Sequence, residues 1–361
     1  MRRVRFEDFA TVAEVCFNKT LFGTVLLIVA GVFTSVGFGQ QGSSKIDAAK
    51  LAMFAPLPDA IPATSTATED QINLGRMLFY ETRLSRSQKI SCNSCHMLDK
   101  YGVDGQPTSE GYKGQKGDRN SPTVYHASGH FVQFWDGRAA DVEEQAKGPV
   151  LNPVEMAMPS ARQVIAVLES MPEYVAAFKK AFPRDKDPVT YDNMGKAIGA
   201  FERKLVTPAR WDKFLKGDQA ALTDQEKTGL NRFMAAGCQN CHSGVLLGGN
   251  MYRRMGVMKA YPDQSDLGRA KVTKADADKM SFKVPSLRNI EKTGPYFHNG
   301  KVEAIEEAVA QMADYQTGKR LSPADAKLIA TFLKTLTGEL PTEYIKQPKL
   351  PRSTPATPEP E

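Results

Sequence analysis

At 361 residues, with 41% apolar and 24% charged side chains, the chain has the composition of a soluble globular protein of about two domains. A formal charge of +6 on this length gives no case for nucleic-acid binding. Four of the five cysteines fall in two matching clusters and the fifth, Cys16, precedes a long apolar run, so no pair is left for a structural disulfide. From Thr20 to Ser44 no residue is charged, Leu21 to Phe38 is mostly apolar, and Arg2, Arg3, Arg5 and Lys19 stand before it. Residues 1–40 therefore read as an export signal or an uncleaved inner-membrane anchor. About 18 apolar residues are borderline for crossing a bilayer, and Ser35, Gly37 and Gly39 suit a signal peptidase. Either way the excess of positive charge before the run puts the rest of the chain outside the cytoplasm, which here means the periplasm.

After a linker rich in Pro, Ala and Thr from Pro56 to Thr68, one plan is written twice. Thr68-Glu69-Asp70-Gln71 and Thr223-Asp224-Gln225-Glu226 are capping boxes. Leu74, Met77 and Leu78 in the first copy, and Leu230, Phe233 and Met234 in the second, are spaced for one face of a helix. These helices lead into Cys92-Asn93-Ser94-Cys95-His96 and Cys238-Gln239-Asn240-Cys241-His242. Further on, Asn120-Ser121-Pro122-Thr123-Val124 is similar to Val284-Pro285-Ser286-Leu287-Arg288-Asn289. "FWDGRAADVEEQA" from Phe134 can be laid on "FHNGKVEAIEEAV" from Phe297, pairing Gly137 with Gly300.

Each copy closes with an amphipathic helix. Met194, Ile198, Phe201 and Leu205 form the stripe of one, and Leu328, Ile329, Phe332, Leu333 and Leu336 that of the other, which opens at Ser322-Pro323. Pro208 stops the first, and Gly338 with Pro341 the second. No strand-period run of any length appears. The expectation is an all-α chain with helical domains at 57–208 and 209–340. Residues 341–361 form a proline-rich tail, too poor in apolar residues for a core, that is either an arm or disordered.

Two thiols three apart followed by histidine can form thioethers to the two vinyl groups of a haem while the imidazole ligates its iron. Zinc would need further ligands, and the remaining histidines are only His126, His130 and His298. Two c-type haems are the expectation, on Cys92, Cys95 and His96 and on Cys238, Cys241 and His242. With Gly300 laid on Gly137, Met312 of the second copy falls on Pro149 of the first. A methionine thioether completes a six-coordinate iron of raised potential, whereas proline binds no metal. The second haem is thus read as an electron store on His242 and Met312. The first is read as open, with Glu155 beside it as a proton carrier; Met156 and Met158 are the other side chains near enough to cap it.

The strings "SCNSCH", "NSPTV", "QFWDGRAADVEEQAKGPV", "VEM", "GCQNCHSG", "FKVPSLRN" and "GPYFHNG" resemble the bacterial di-haem cytochrome c peroxidases from about Leu57 to Leu340. That resemblance implies two class I cytochrome c-like domains, each with one covalently attached haem. Hydrogen peroxide is reduced at the N-terminal one, and electrons arrive at the C-terminal one from a small cytochrome c or cupredoxin. It gives Trp135 a place in the electron path, Glu155 the acid–base role and Gln145 a place in the pocket. It also implies a calcium ion between the domains on Asn120, Thr293 and Pro295. Family members often dimerise, and no surface stripe in this chain argues for it independently.

The chain departs from the family at one position. Where many relatives place an iron-capping histidine in a "GHGWQKG"-like loop, this sequence has "GYKGQKG" with Tyr112. Tyr112, His126 and His130 are the candidate distal-loop residues, with a packed ring the preferred reading for Tyr112. With no strong cap, the enzyme is expected to need less reductive activation than its histidine-capped relatives. His298 is expected near the second haem and is not read as an iron ligand. Two other functions are weighed. A di-haem electron-transfer cytochrome would want both irons capped, and a quinone-maturation oxygenase would want tyrosine in place of Met312.

Overall fold

Thr68 and Thr223 start the same helix twice. Each accepts the backbone N–H three residues on, from Gln71 and Glu226, while that residue's side chain returns to the threonine N–H. The helices run Glu69–Phe79 and Asp224–Ala236; the second ends just before Cys238, and the first is joined to Cys92 through a short turn at Thr82–Leu84. The computed structural model describes residues 45–58 and 67–361, so the apolar N-terminal run and Cys16 lie outside the described residues. No helix among the described residues is long and apolar enough to cross a membrane.

Each opening helix crosses its closing helix at a glycine. A Cβ on Gly75 would lie 1.8 Å from the carbonyl oxygen of Ala197, and one on Gly229 would lie 2.0 Å from that of Leu328. Only glycine lets the backbones come so close. The partners are helices Tyr191–Glu202 and Pro323–Lys334. Around these crossings Leu74, Leu78, Phe79, Ile198 and Phe201 fill one core, and Leu230, Phe233, Ile329, Phe332 and Leu333 the other. Full burial of such a side chain contributes about 1.5–3 kcal/mol. Both closing helices stop before the end of their apolar pattern. Leu205 and Leu336 follow beyond the last helical turn, each with its N–H bonded three residues back, to Glu202 O and Leu333 O; both are still buried, and their carbonyls accept the N–H groups of His126 and Asn289.

The two halves meet through a reciprocal exchange. Asn120 N–H donates to the His298 carbonyl and Lys283 N–H to the Trp135 carbonyl, both at 2.8 Å. These are corresponding positions in the register that lays Gly300 on Gly137, and the backbone repeats with them. Phe134 and Phe297, Gly137 and Gly300, and His126 and Asn289 all have positive φ. His126 Nε2 (2.9 Å) and Asn289 Nδ2 (2.8 Å) share one partner, the Thr207 hydroxyl. Arg119 adds a charged tie by bonding Asp266 through two nitrogens and Asp136 through the third.

Two features go beyond the helical expectation. Tyr252–Arg254 and Ser281–Lys283 pair as antiparallel strands, each too short to leave a periodic trace. The proline-rich tail is laid as an arm along the first half. Ile345 enters the first core, with Leu340, Tyr344 and Leu350 packed against it. Tyr344 stacks on Phe201 at 5.1 Å, and Tyr80 OH donates to Ile345 O. Farther along, Arg83 bonds Pro351 O and Ser353, Thr354 donates to Ser170 O, and Arg86 pairs with Glu361. A few apolar side chains and many main-chain carbonyls suffice where a full apolar face is missing.

Candidate functional site

Both histidines that follow the cysteine pairs are held alike. His96 Nδ1 lies 3.3 Å from Gly102 O and His242 Nδ1 lies 3.0 Å from Leu247 O. A carbonyl only accepts, so Nδ1 carries the hydrogen and Nε2 keeps its lone pair, the arrangement that a metal-binding imidazole needs. Burial depresses both rings, His242 to about 4, which keeps them neutral and able to bind a metal. Among the described residues no disulfide joins the four cysteines. Burial raises the thiols of Cys92, Cys95 and Cys238. Cys92–Cys95 is a single helical turn, and Cys238–Asn240 is a tighter turn that leads into Cys241.

A cavity of about 180 Å³ opens against Cys92, Cys95 and His96. One wall is the helix Val142–Leu151, started by the Asp141 cap, which turns Gln145 and Pro149 inward four residues apart. The segment after that helix supplies Glu155 and Met156. Asn152 donates to Glu155 Oε1 at 2.7 Å and fixes the carboxyl. Burial lifts Glu155 above the usual carboxylate range, against the Arg138 charge and the Asn152 bond. Arg138 itself lies over the Phe134 ring at 3.4 Å. Gly111 is required beside this turn, because a Cβ there would lie 2.0 Å from Val154 O.

Trp135 lines the same cavity, donates from Nε1 to Asn120 O at 2.9 Å, and meets His298 edge-on at 6.4 Å. It also packs, with Met312 and Tyr315, against the Met255, Tyr261, Met280 and Phe282 cluster of the second half. Met312 ends helix Ile305–Met312, the counterpart of Val142–Leu151, and a π-helical turn, Ala313–Thr317, follows at once. Such turns recur at functional positions. Pro149 and Met312 thus hold the same place on matching helices.

The structure separates the three distal-loop candidates. Tyr112 is buried and turned toward the arm: its hydroxyl donates to Glu361 O at 3.2 Å, and Arg86 and Lys113 lie over its ring. Only its backbone touches the site, through an N–H donated to Glu155 O. His126 is buried at the junction on Thr207 and does not line the cavity; burial depresses it to about 3. His130 does line it. Met158 packs in the first core, while Met156 reaches the cavity wall. Asn120 is buried, with its amide on Gln106 O and Pro107 O. His298 is stacked on Phe282 at 4.2 Å. Sequence reasoning passes over Lys283, Arg138, Asn152 and Glu202. Arg138 stands within "QFWDGRAADVEEQAKGPV" and Lys283 within "FKVPSLRN", and the register of the repeat lays Lys283 on Asn120, whereas Asn152 falls between the quoted strings.

These residues fit haem on both clusters, since each offers two thiols and a neutral imidazole in one turn, and the first also has a cavity. The model of a family described as di-haem cytochrome c peroxidase matches residues 69–220. The chain is 47% identical over 317 residues to cytochrome c551 peroxidase of Pseudomonas aeruginosa, covering 86% of this chain and 90% of that one. It is 46% identical to cytochrome c551 peroxidase of Nitrosomonas europaea, covering 82% and 88%. A solved MauG-like protein associated with microbial copper homeostasis superposes with a TM-score of 0.71 at 27% identity, over 81% of this chain and 98% of that one. The chain belongs to the di-haem cytochrome c peroxidase family.

Proposed function

We propose that the chain reduces hydrogen peroxide to two waters at the His96 site, with two electrons and two protons, and that a small cytochrome c or cupredoxin supplies the electrons through the His242 site. The pairing of Pro149 with Met312 carries this reading. Matching helices present a thioether in one half and a proline in the other, so one site is built to be six-coordinate and the other to admit a substrate. Cys92, Cys95 and His96 would hold one c-type haem, and Cys238, Cys241, His242 and Met312 the other. When bound, the haem in the first half supplies the redox-active iron at which the peroxide bond breaks.

The side chains around that site do the rest. Glu155, fixed by Asn152 and raised by burial, takes a proton from one peroxide oxygen and returns it to the other. Gln145 on the facing helix orients the substrate, and Arg138 draws the anionic form of the carboxyl toward it. Trp135 lies on the path between the halves, in contact with both the cavity and the cluster around Met312. The family resemblance further implies a calcium ion on the Asn120 side chain and the Thr293 and Pro295 carbonyls. An oxygen-only site suits that ion, and burial of Asn120 at the junction supports it. Residues 1–40 would deliver the chain to the periplasm as a cleaved signal or an anchor, and pairing into a homodimer would follow the family habit. Tyr315, the nearest tyrosine to Met312, packs its ring on Tyr261 at 5.3 Å, which supports methionine over the oxygenase's tyrosine.

The test is peroxide turnover by the fully oxidised protein against turnover after one-electron reduction, followed through the pre-steady-state phase with reduced cytochrome c. Immediate activity in the oxidised protein is expected. A lag abolished by prior reduction would contradict an open first site, and no turnover in either state would contradict the peroxidase.

A further inference from the structure

Three cations line the cavity against Cys92, Cys95 and His96: Arg119, Arg138 and Lys283. The two arginines have carboxylates. Arg119 holds Asp136 and Asp266, and Arg138 shares Asp136 at 3.1 Å. Lys283 has none in ion-pair range among the described residues, although it is buried at 4% exposure. Its ammonium lies 3.1 Å from His130 Nδ1 and donates to Val132 O at 3.2 Å. An isolated buried ammonium is costly unless something neutralises it. Burial accordingly pushes Lys283 down to about 7, and Asp136, already shared by two guanidiniums, opposes this only from a distance.

The hydrogen bonding leaves a defined remainder. An ammonium has three N–H donors and no acceptor. Two are used, one on Val132 O and one on His130 Nδ1, so His130 accepts at Nδ1 and carries its hydrogen on Nε2. His130 Nε2 is buried and has no partner among the described residues. Each residue therefore keeps one spare donor, and neither keeps an acceptor. The pair is also held in place. Lys283 N–H is fixed to Trp135 O, and the His130 ring fills the space above Gly249, where a Cβ would lie 2.3 Å from the ring.

Two spare donors on the wall of one cavity, one of them on a buried amine that only a neighbouring anion would hold fully charged, describe a carboxylate receptor. The geometry points to Lys283, oriented by His130, as the counter-cation of a carboxylate carried by the haem in this cavity. This rests on the haem reading of the first cluster. The pair straddles the junction, with His130 on the first half and Lys283 on the second. It therefore ties the prosthetic group of one domain to the strand of the other that bonds Trp135.

The experiment uses the haem-loaded protein. A pyridine haemochrome assay first establishes two c-type haems per chain in wild type, Lys283→Met, Lys283→Arg and His130→Asn; a wild type without them overturns the haem reading itself. Optical potentiometric titration then gives both midpoint potentials, with and without added acetate at constant ionic strength. The expected result is a negative shift of one haem's potential in Lys283→Met, a smaller one in Lys283→Arg, no shift of the other haem, and no effect of acetate on wild type. Unchanged potentials in a Lys283→Met protein that keeps both haems would overturn the inference. An acetate-dependent wild-type potential would do so as well, because the carboxylate would then be a free solute.

Discussion

The hydroxyl of Tyr112 donates to the main-chain oxygen of Glu361 at 3.2 Å, while the backbone N–H of the same tyrosine donates to the carbonyl of Glu155 at 2.8 Å. One residue thus joins the far end of the arm to the acid–base carboxyl, with its ring turned to the arm and its backbone to the site. Tyr112→Phe should cost about 0.5–1.5 kcal/mol of stability, the net worth of one hydrogen bond. It should leave the visible spectrum of the oxidised protein unchanged. Loss of a phenolate charge-transfer band in the variant would show instead that Tyr112 reaches the iron.

Glu155→Gln should lower peroxide turnover by about 10²–10⁴-fold, the usual contribution of a positioned proton carrier, with both haem spectra intact. Because burial raises this carboxyl, its basic form is lost at a pH above the ordinary carboxylate range as the solution is acidified. The acid limb of the wild-type rate profile should lie there, and it should be absent from the residual activity of Glu155→Gln.

Met312→Ala should lower the potential of one haem and slow turnover with reduced cytochrome c as donor, while Met156→Ala should leave the coordination of both haems unchanged. Magnetic circular dichroism in the near infrared, where methionine ligation has its own band, distinguishes the two variants. A band lost in Met156→Ala would point to a capped first site and an electron-transfer cytochrome.

Asp212 accepts from both terminal nitrogens of Arg288, at 2.9 and 2.8 Å, and from the backbone N–H groups of Leu57 and Ala209. The ion pair is buried on both sides. Asp212→Ala leaves a stranded guanidinium and should cost about 3–5 kcal/mol, measured by urea unfolding.

Acid should destabilise the fold in two stages. His126 is depressed to about 3 by burial, with the Arg288 charge adding to it. The unfolded chain takes up a proton there near pH 6.5 and the folded chain does not, so stability falls as pH drops below about 6.5. Asp212 and Asp266 are held below the carboxylate range by Arg288 and Arg119, against the opposing effect of burial. Their contribution is present above about pH 4 and is lost as pH falls through their folded values. His126→Asn, which copies the residue at the matching position Asn289, should remove one proton's share of the first stage, to which the other buried histidines also contribute, in a plot of urea midpoint against pH and leave the second.

The repeated elements are legible because they obey local rules. The capping boxes at Thr68 and Thr223 and the apolar stripes through Phe201 and Phe332 follow from helix chemistry alone. The alignment of Gly137 with Gly300 places Pro149 and Met312 on corresponding helices, which the backbone reproduces. The features that escape depend on contacts between distant segments. His126 is open to reading as a loop ligand, because nothing near it in the chain announces that Thr207 will meet it. The Lys283–His130 pair spans 153 positions. The placement of the arm escapes because docking onto an existing core needs far fewer apolar residues than building one.

That arm has a consequence for biosynthesis. Ile345, Tyr344 and Leu350 cover Phe201, Tyr80 and their neighbours, so the first half is finished by chain that leaves the ribosome after the whole second half. Until then its apolar floor stays open to solvent, a state prone to aggregation. The thiols of Cys92 and Cys95 thus belong to a domain that closes last although it is made first, which leaves an interval in which a modifying enzyme finds them on an incomplete scaffold.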